Sequence, residues 1–510
     1  MGEKGMRLAH WARIQPEVLA VQSIWGDRTF GELNANSNRL ARALRARGLR
    51  DGDGVAIVCS NRPEFAEVVH ACLRAGLRYT PVNWHLTPDE VAYIVGDSQA
   101  KALFGDTRFA ELMTKAADLS PNAKVRLAIG GEIVGFEGYD AALSAEDGSD
   151  ITDPKPGFRM LYTSGTTGRP KGVLRPLNYA TGLIGLTSAP QYGPGKGQLN
   201  LCTGPMHHGG PLVYSMAVPI SHGVGTVLMD KWDAAEALRL IEQHRVTHTH
   251  MVPTMFHRML RLPEEVRSDA DVSSMQYIAH GAAPCTVAIK KAMIDWFGPI
   301  LWEYYAATEG GGASVSPEQW LKKPGTVGKP LTDDHVQIMD DEGKACPPYQ
   351  PGTIYLKVLE GSDFEYFNDP VKTESAHRGT LFTVGDVGYL DEDGFLFLTD
   401  RSADLIVRGG VNIYPAEAEA VLLQHSAVRD VAVVGVPSAE WGEEVKGVVE
   451  PIADEPPADL ERELIDFCRA RLAGFKCPRS IDIVDRLPRS DNGKLYKRRL
   501  RERYRGGIDA

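Results

Sequence analysis

YTSGTTGRPKG, running from Tyr162 to Gly172, is the stretch that makes the rest of the chain readable. Within eleven residues it carries hydroxyls at Thr163, Ser164, Thr166 and Thr167, three glycines (Gly165, Gly168, Gly172) and Lys171. Glycines let backbone N–H groups close on an anion, hydroxyls add donors to its oxygens, and a lysine balances its charge. No GxxxxGK[ST] spacing fits, so this is not a Walker-type loop. A surface loop can be as rich in Gly, Ser and Thr, but it does not ordinarily run on into Arg-Pro-Lys-Gly. The stretch predicts a phosphate-binding loop.

Working outward, the text on either side alternates in type. VAIVCSN, PEFAEVVHACLRAGL and RYTPVN, between Gly54 and Asn83, read as strand, helix, strand. The rhythm returns at KALFGD, GTVLMD, HTHMVPT and MQYIAHGAAP, with helical stretches such as AAEALRLIEQHRV between them. Such βα units imply an α/β fold, with sheets flanked by helices on both faces. After about residue 320 the pattern changes to GTVGKPL, VQIMDDEGKACPP, GTIYLKV and GYLDEDGFLFLTDR, strands joined by DEG and EDG turns, which predicts a small β-rich subdomain. From Arg401 a mixed α/β tail begins, so the boundary falls near residue 402, giving domains 1–402 and 403–510. PIADEPPAD (451–459) reads as a surface loop.

Length and composition fit this picture. A chain of 510 residues exceeds one ordinary core. Its formal net charge of -11 gives no overall pull toward nucleic acid or anionic lipid, so a phosphate ligand needs a local site. The seven cysteines, Cys59, Cys72, Cys202, Cys285, Cys346, Cys468 and Cys477, are odd in number and contain no CxxC pair. That speaks against a disulfide framework or a zinc site, and predicts buried thiols in a reducing cytoplasm. The first residues show no secretory or myristoylation signal, and no apolar run is long enough to span a membrane.

The phosphate loop resembles that of the adenylate-forming superfamily, which includes acyl-CoA synthetases, peptide-synthetase adenylation domains and firefly-type luciferases. Further blocks resemble that family in order along nearly the whole chain: TPVNWHLTPDEVAYIVGDSQAKALF, PMHHGGP (205–211), GAAP (281–284), EYYAATEG (303–310), GTVGKP (325–330), TVGDVGYLDEDG (383–394), DRSADLIVRGGVNIYP (400–415) and LPRSDNGKLYKRRL (487–500). The resemblance implies a large N-terminal domain of two α/β sheets plus a small β-barrel-like subdomain, and a small mobile C-terminal α+β domain. It also implies an AMP-forming acid–thiol ligase using ATP, Mg²⁺ and coenzyme A, with a small-molecule, hydrophobic carboxylic acid as partner. A homodimer is left open. A module that loads a carrier protein, a luciferase-like oxygenase and a scaffold with decayed chemistry are the rival readings.

By resemblance, Thr163, Ser164, Gly165, Thr166, Thr167, Gly168 and Lys171 hold the phosphates, with Thr163 and Lys171 also acting in catalysis. Tyr305 stacks on adenine, with Tyr304 beside it; Thr308 touches the α-phosphate and Glu309 holds Mg²⁺. An aromatic face suits a purine, and a carboxylate with phosphate oxygens suits a hard cation. Asp386 resembles the acid that accepts both ribose hydroxyls, and Arg401 a second ribose or phosphate contact. Gly281, Ala282 and Ala283 line the site near the carboxylate, and His208 stands at the acyl-pocket mouth. Ala306 replaces a frequent glycine and narrows the acyl tunnel. Lys494 matches a lysine used only for adenylation, although seven basic groups in 494–505 also read as a solvated basic helix. After domain rotation Gly409 and Gly410 line the thiol tunnel. The hinge position carries Ala403 where relatives have Asp or Lys. The wording EYYAATEGGG is closest in style to synthetases for fatty, steroid-side-chain or other bulky hydrophobic acids.

Overall fold

The computed structural model describes residues 5–163, 170–175, 192–193, 197–330, 332–359, 361, 363–401, 404–408, 411–438, 441–490, 493 and 495–505. Lys494, Gly409, Gly410, Ala403 and residues 164–169 of the phosphate loop lie outside them.

Two large sheets form the base. One has six strands, all parallel, with Gly54–Val58 near its centre between Arg78–Pro81 and Ala100–Asp106. The other has nine strands; its parallel middle runs Leu301–Ala306, Tyr277–His280, His248–Met251, Leu199–Cys202, Gly225–Leu228. Helix Pro63–Ala75 starts with proline at its first turn, ends on Gly76 in the left-handed conformation, and is almost wholly buried. Burial on all sides follows from its place between the two sheets: its Phe65 and Val69 share a core with Val55 and Ile57 of one and Cys202 and Leu228 of the other. Helix Phe30–Ala46 packs alongside, started by a capping box of Thr29 and Glu32.

Buried Asn61 fastens the sheets where the site lies. Its amide donates to the carbonyls of Gly204 (3.0 Å) and Met229 (2.9 Å), and its oxygen accepts from the Met206 N–H (2.9 Å). Three satisfied bonds in a dry place fix the entry to the PMHHGG segment, at about 1 kcal/mol each.

A third sheet is a short hairpin, Leu161–Thr163 with Lys171–Leu174, extended by Glu365–Tyr366. The β-rich region expected after residue 320 exists as a sheet built on Val336–Met339, Gly352–Lys357, Asp386–Leu390 and Leu396–Arg401. The GTVGKP segment was expected there too, but its Lys329–Pro330 joins the edge of the nine-stranded sheet, on Gly311–Val315. Its period and turn residues fit either sheet, and only the long-range pairing decides.

The described strands after residue 402 form a sheet of their own, around the long hairpin of Val428–Ser438 and Gly442–Pro451. Helices Pro415–Leu422 and Leu460–Arg469 close one core over it. The basic helix Lys497–Arg505 is more than a solvated face: Leu500 is buried, Arg501 pairs with Asp404 at 2.6 Å, Lys497 with Glu419 at 2.8 Å, and the Tyr504 hydroxyl donates to Asp482 at 2.6 Å. The acidic partners come from distant elements, which a local count of charges does not see. All seven cysteines are free; Cys285 and Cys346 are partly exposed, against the expectation of burial throughout. Among the described residues no helix is long and apolar enough to cross a membrane.

Candidate active site

The hairpin puts Thr163 directly across from Lys171, and Tyr162 across from Gly172, so the phosphate stretch leaves from and returns to one pair of strands. The Lys171 ammonium sits 4.9 Å from the centre of the Tyr366 ring. Partial burial, with Lys372 nearby, holds its pKa below the usual lysine value. The hydroxyl of Tyr366 donates to Glu309 Oε1 at 2.8 Å. Tyr366 therefore joins the lysine of one hairpin to the carboxylate of another.

That second hairpin is Leu301–Ala306 with Gly311–Val315. Its turn closes by a 2.7 Å bond from the Ala307 N–H to the Gly310 carbonyl, which presents Thr308 and Glu309 at the tip. The turn is also held from outside. The guanidinium of buried Arg175, just past the first hairpin, donates to the Thr308 carbonyl at 3.0 Å and to the Glu309 carbonyl. Charged donors on carbonyls make the stronger class of hydrogen bond. Buried Glu309 keeps Oε2 without a hydrogen bond among the described residues, and a carboxylate oxygen of that kind is the donor type a hard cation such as Mg²⁺ takes.

Alternation along Leu301–Ala306 separates its side chains. Tyr305 lies flat over Gly312, where an added Cβ would come within 2.5 Å of the ring, and its hydroxyl donates to Asp386 Oδ2 at 2.7 Å. Asp386 is buried, and it pairs in register with Arg401 on the neighbouring strand. Tyr304 points the other way. Its hydroxyl meets His250 Nε2 at 2.9 Å, and its ring stacks on Tyr214 at 4.9 Å. Burial pulls the His250 pKa down to about 4, leaving a neutral ring. Sequence reading had put Tyr304 beside the nucleotide; the structure faces it away from Tyr305.

Gly281 follows strand Tyr277–His280 and lies beside Tyr304, whose ring carbon would be 2.9 Å from an added Cβ. Ala282 adopts φ +65°, a conformation that costs a non-glycine residue about 1 kcal/mol or more and clusters at functional sites. Ala282 and Ala306 are exposed, Ala283 partly so. His208 packs on His207, ring centres 4.3 Å apart; both nitrogens of buried His207 lack a hydrogen-bond partner among the described residues, and burial drives its pKa well below the ordinary value.

Lys494 is outside the described residues, but its neighbour Gly493 lies against the N-terminal region: an added Cβ would stand 2.2 Å from Thr254 Oγ1. Arg489 braces this loop, donating to the Gly493 carbonyl at 2.6 Å while it ion-pairs with Asp430. The sequence reading missed Arg175, Tyr366, Tyr214 and His250. Only the aromatic block EYFNDP (365–370) carried a local signal.

Residues 8–358 match the family model described as AMP-binding enzyme. This chain belongs to that family. Residues 417–494 of this AMP-binding enzyme match the companion model, AMP-binding enzyme C-terminal domain. The 2-succinylbenzoate–CoA ligase of Bacillus licheniformis is 32% identical over 502 residues, covering 96% of this chain and 98% of that one. A fatty acid–[acyl-carrier-protein] ligase, ScoC of Streptomyces coeruleorubidus, is 32% identical over 505 residues, covering 97% and 95%. Among solved structures, o-succinylbenzoate CoA synthetase from Bacillus subtilis, in complex with its acyl-adenylate intermediate, matches with TM-score 0.80 and 30% identity, covering 97% of each chain. The α/β fold, with a large N-terminal and a small C-terminal part, is that of adenylate-forming enzymes.

Proposed function

We propose that this AMP-binding enzyme adenylates a hydrophobic carboxylic acid with ATP and passes the acyl group to coenzyme A, releasing AMP and pyrophosphate. The observation that carries the reading is the convergence of Lys171, Thr308 and Glu309, joined by Tyr366 and backed by Arg175. These groups come from two hairpins and meet where a triphosphate has to be held. The substrate carboxylate attacks the α-phosphate in line. Lys171 and Thr308 bind the phosphate oxygens, and fixed donors there lower the barrier because they need no reorganisation. Mg²⁺ on Glu309 would neutralise charge on those oxygens. Asp386, oriented by the Tyr305 hydroxyl, accepts the ribose hydroxyls, and the Tyr305 ring packs on the base.

In this reading the C-terminal domain, 403–510, delivers Lys494 for the first step, and the docking of Gly493 on Thr254 supports that role. For the second step the same domain turns to bring Gly409 and Gly410 to the thiol. Coenzyme A is the acceptor named for most of the relatives, and a carrier protein is the acceptor named for ScoC.

The test supplies ATP, Mg²⁺ and a panel of carboxylates, with coenzyme A or a phosphopantetheinylated carrier protein as acceptor. AMP and acyl-CoA should appear together. Formation of ADP would overturn the mechanism, and acyl-carrier without acyl-CoA would overturn the acceptor. Lys494→Ala should lose orders of magnitude in adenylate formation yet convert supplied acyl-adenylate to thioester.

A further inference from the structure

We propose that His257 is a positioning residue for the first half-reaction: with Thr254 it forms a dock on helix Pro253–Leu260 that sets where the C-terminal domain holds Lys494. The inference rests on the adenylation reading above, in which Lys494 serves the first step, and it adds which residues of the N-terminal region seat that lysine's loop.

The helix follows strand His248–Met251 and starts on proline. Its Met255, Phe256 and Met259 go into the core with Met251 and Ile278. Spacings of three and four residues gather Thr254, His257 and Arg261, all partly exposed, on another face. That face meets the C-terminal domain twice. The His257 ring donates through Nε2 to the Arg429 carbonyl at 3.0 Å, 172 residues on. A carbonyl oxygen only accepts, so the ring nitrogen facing it carries the proton. Burial lowers the pKa of His257, and the ring donates as a neutral imidazole. Thr254 lies against Gly493: an added Cβ there would stand 2.2 Å from Thr254 Oγ1 and 3.3 Å from a Val252 methyl. Gly493 also has φ +79°, so both the close approach and the backbone call for glycine.

The two contacts are joined inside the C-terminal domain. Asp430, the residue after Arg429, takes the Arg489 guanidinium on both carboxylate oxygens, at 2.8 Å on Oδ1. Arg489 in turn donates to the Gly493 carbonyl at 2.6 Å. A two-pronged pair of this kind fixes orientation as well as distance. A continuous run of hydrogen bonds therefore leads from His257 through residues 429, 430 and 489 to residue 493, the neighbour of Lys494. Anchoring residue 429 on the helix fixes where the chain enters position 494. The dock is also built to let go. Arg261 stands near Arg429, and that like charge adds to burial in lowering the Arg261 pKa. A neutral hydrogen bond opposed by a like charge suits an interface that has to part before the second step.

The experiment times both half-reactions in single turnover. The first is pyrophosphate release with ATP, Mg²⁺ and the acid of the carboxylate panel that yields most AMP. The second is thioester formation from the corresponding acyl-adenylate, with coenzyme A or the carrier protein as acceptor. Native enzyme is compared with His257→Ala, His257→Gln and Thr254→Leu, and with Lys494→Ala alone and combined with His257→Ala. His257→Ala should slow adenylate formation about fivefold and leave thioester formation unchanged. His257→Gln, whose amide nitrogen can stand in for Nε2, should stay within about twofold of native in both steps. Thr254→Leu, which crowds Gly493, should slow adenylation alone, and it carries the test if His257→Ala does not fold. In the Lys494→Ala background, His257→Ala should cause no further loss, since it acts through that lysine. Equal slowing of both steps, an unchanged adenylation rate in His257→Ala, or losses that multiply in the double variant overturn the inference and leave adenylation standing. Absence of pyrophosphate release with every acid of the panel in native enzyme overturns the adenylation reading and the inference with it.

Discussion

Lys290→Met tests the support behind the site strand. Lys290 and Glu303 pair at 2.6 Å, with side chains 0% and 6% exposed, and His280 stands 3.6 Å from the same carboxylate oxygen. Glu303 lies one residue before Tyr304 on Leu301–Ala306. Burial raises its pKa, and the ammonium opposes that rise. Removing one partner of a buried pair leaves the other charge uncompensated, at about 3–5 kcal/mol. Unfolding entropy of about 2.1 cal/mol/K per residue, over roughly 400 residues of the N-terminal region, converts 4 kcal/mol to a melting shift of about 5 °C. In the variant the carboxyl has only burial acting on it, so its folded pKa rises further above the unfolded value. Such a group destabilises fully when pH is above its raised folded value, and the deficit shrinks as pH falls through that value toward the unfolded one and the carboxyl takes a proton. Scanning calorimetry of the native chain, Lys290→Met and Lys290→Met/Glu303→Leu at pH 8 and pH 6 is the assay. The single variant should lose about 5 °C at pH 8 and less at pH 6, and the double should recover most of it. A loss under 1 °C, or a double variant worse than the single, would refute the argument that an uncompensated charge causes the effect.

Arg175→Met should lower kcat/KM for ATP about a hundredfold by releasing the turn that aims Glu309, and should raise the Mg²⁺ concentration needed in pyrophosphate exchange; an unchanged Mg²⁺ requirement would refute the role. Tyr305→Phe keeps the ring but removes the donor to Asp386, so KM for ATP should rise about tenfold with little change in kcat, read from initial rates. Burial lowers the pKa of His70 to about 3 and of His248 and His250 to about 4. Stability from these neutral rings is fully present above the unfolded value near 6.5 and is lost as pH falls toward 4, at about 1.4 kcal/mol per pH unit for each; urea midpoints between pH 7.5 and 4.5 should show the slope.

What the sequence disclosed was local. The phosphate stretch stands out because glycines, hydroxyls and a lysine in eleven residues carry their chemistry with them; the pairing of Thr163 with Lys171 is added by the structure. Helix Pro63–Ala75 was legible from its spacing of apolar residues. Contacts formed across the chain were not legible. Arg175 reaches carbonyls 133 and 134 residues away, and Tyr366 a carboxylate 57 residues back. Arg175 has no periodic or compositional mark, and the aromatic block around Tyr366 does not tell which carboxylate it reaches. The division of labour between Tyr304 and Tyr305 depends on strand register, which adjacency in sequence hides. The basic C-terminal helix misled for the same reason, since its partners Asp404, Glu419 and Asp482 lie on separate elements.

The opposed orientation of Tyr304 and Tyr305 has a consequence for how such an enzyme diversifies. One backbone strand is a partition: a substitution at 304 disturbs the side held by His250 and Tyr214, while one at 305 disturbs the side held by Asp386. The two hydroxyls go to separate partners, His250 for one and Asp386 for the other, so loss of one leaves the other's hydrogen bond in place, with coupling confined to the backbone they share. A lineage can therefore alter the side chain at 304 while the Tyr305–Asp386 bond on the far side of the strand stays as it was.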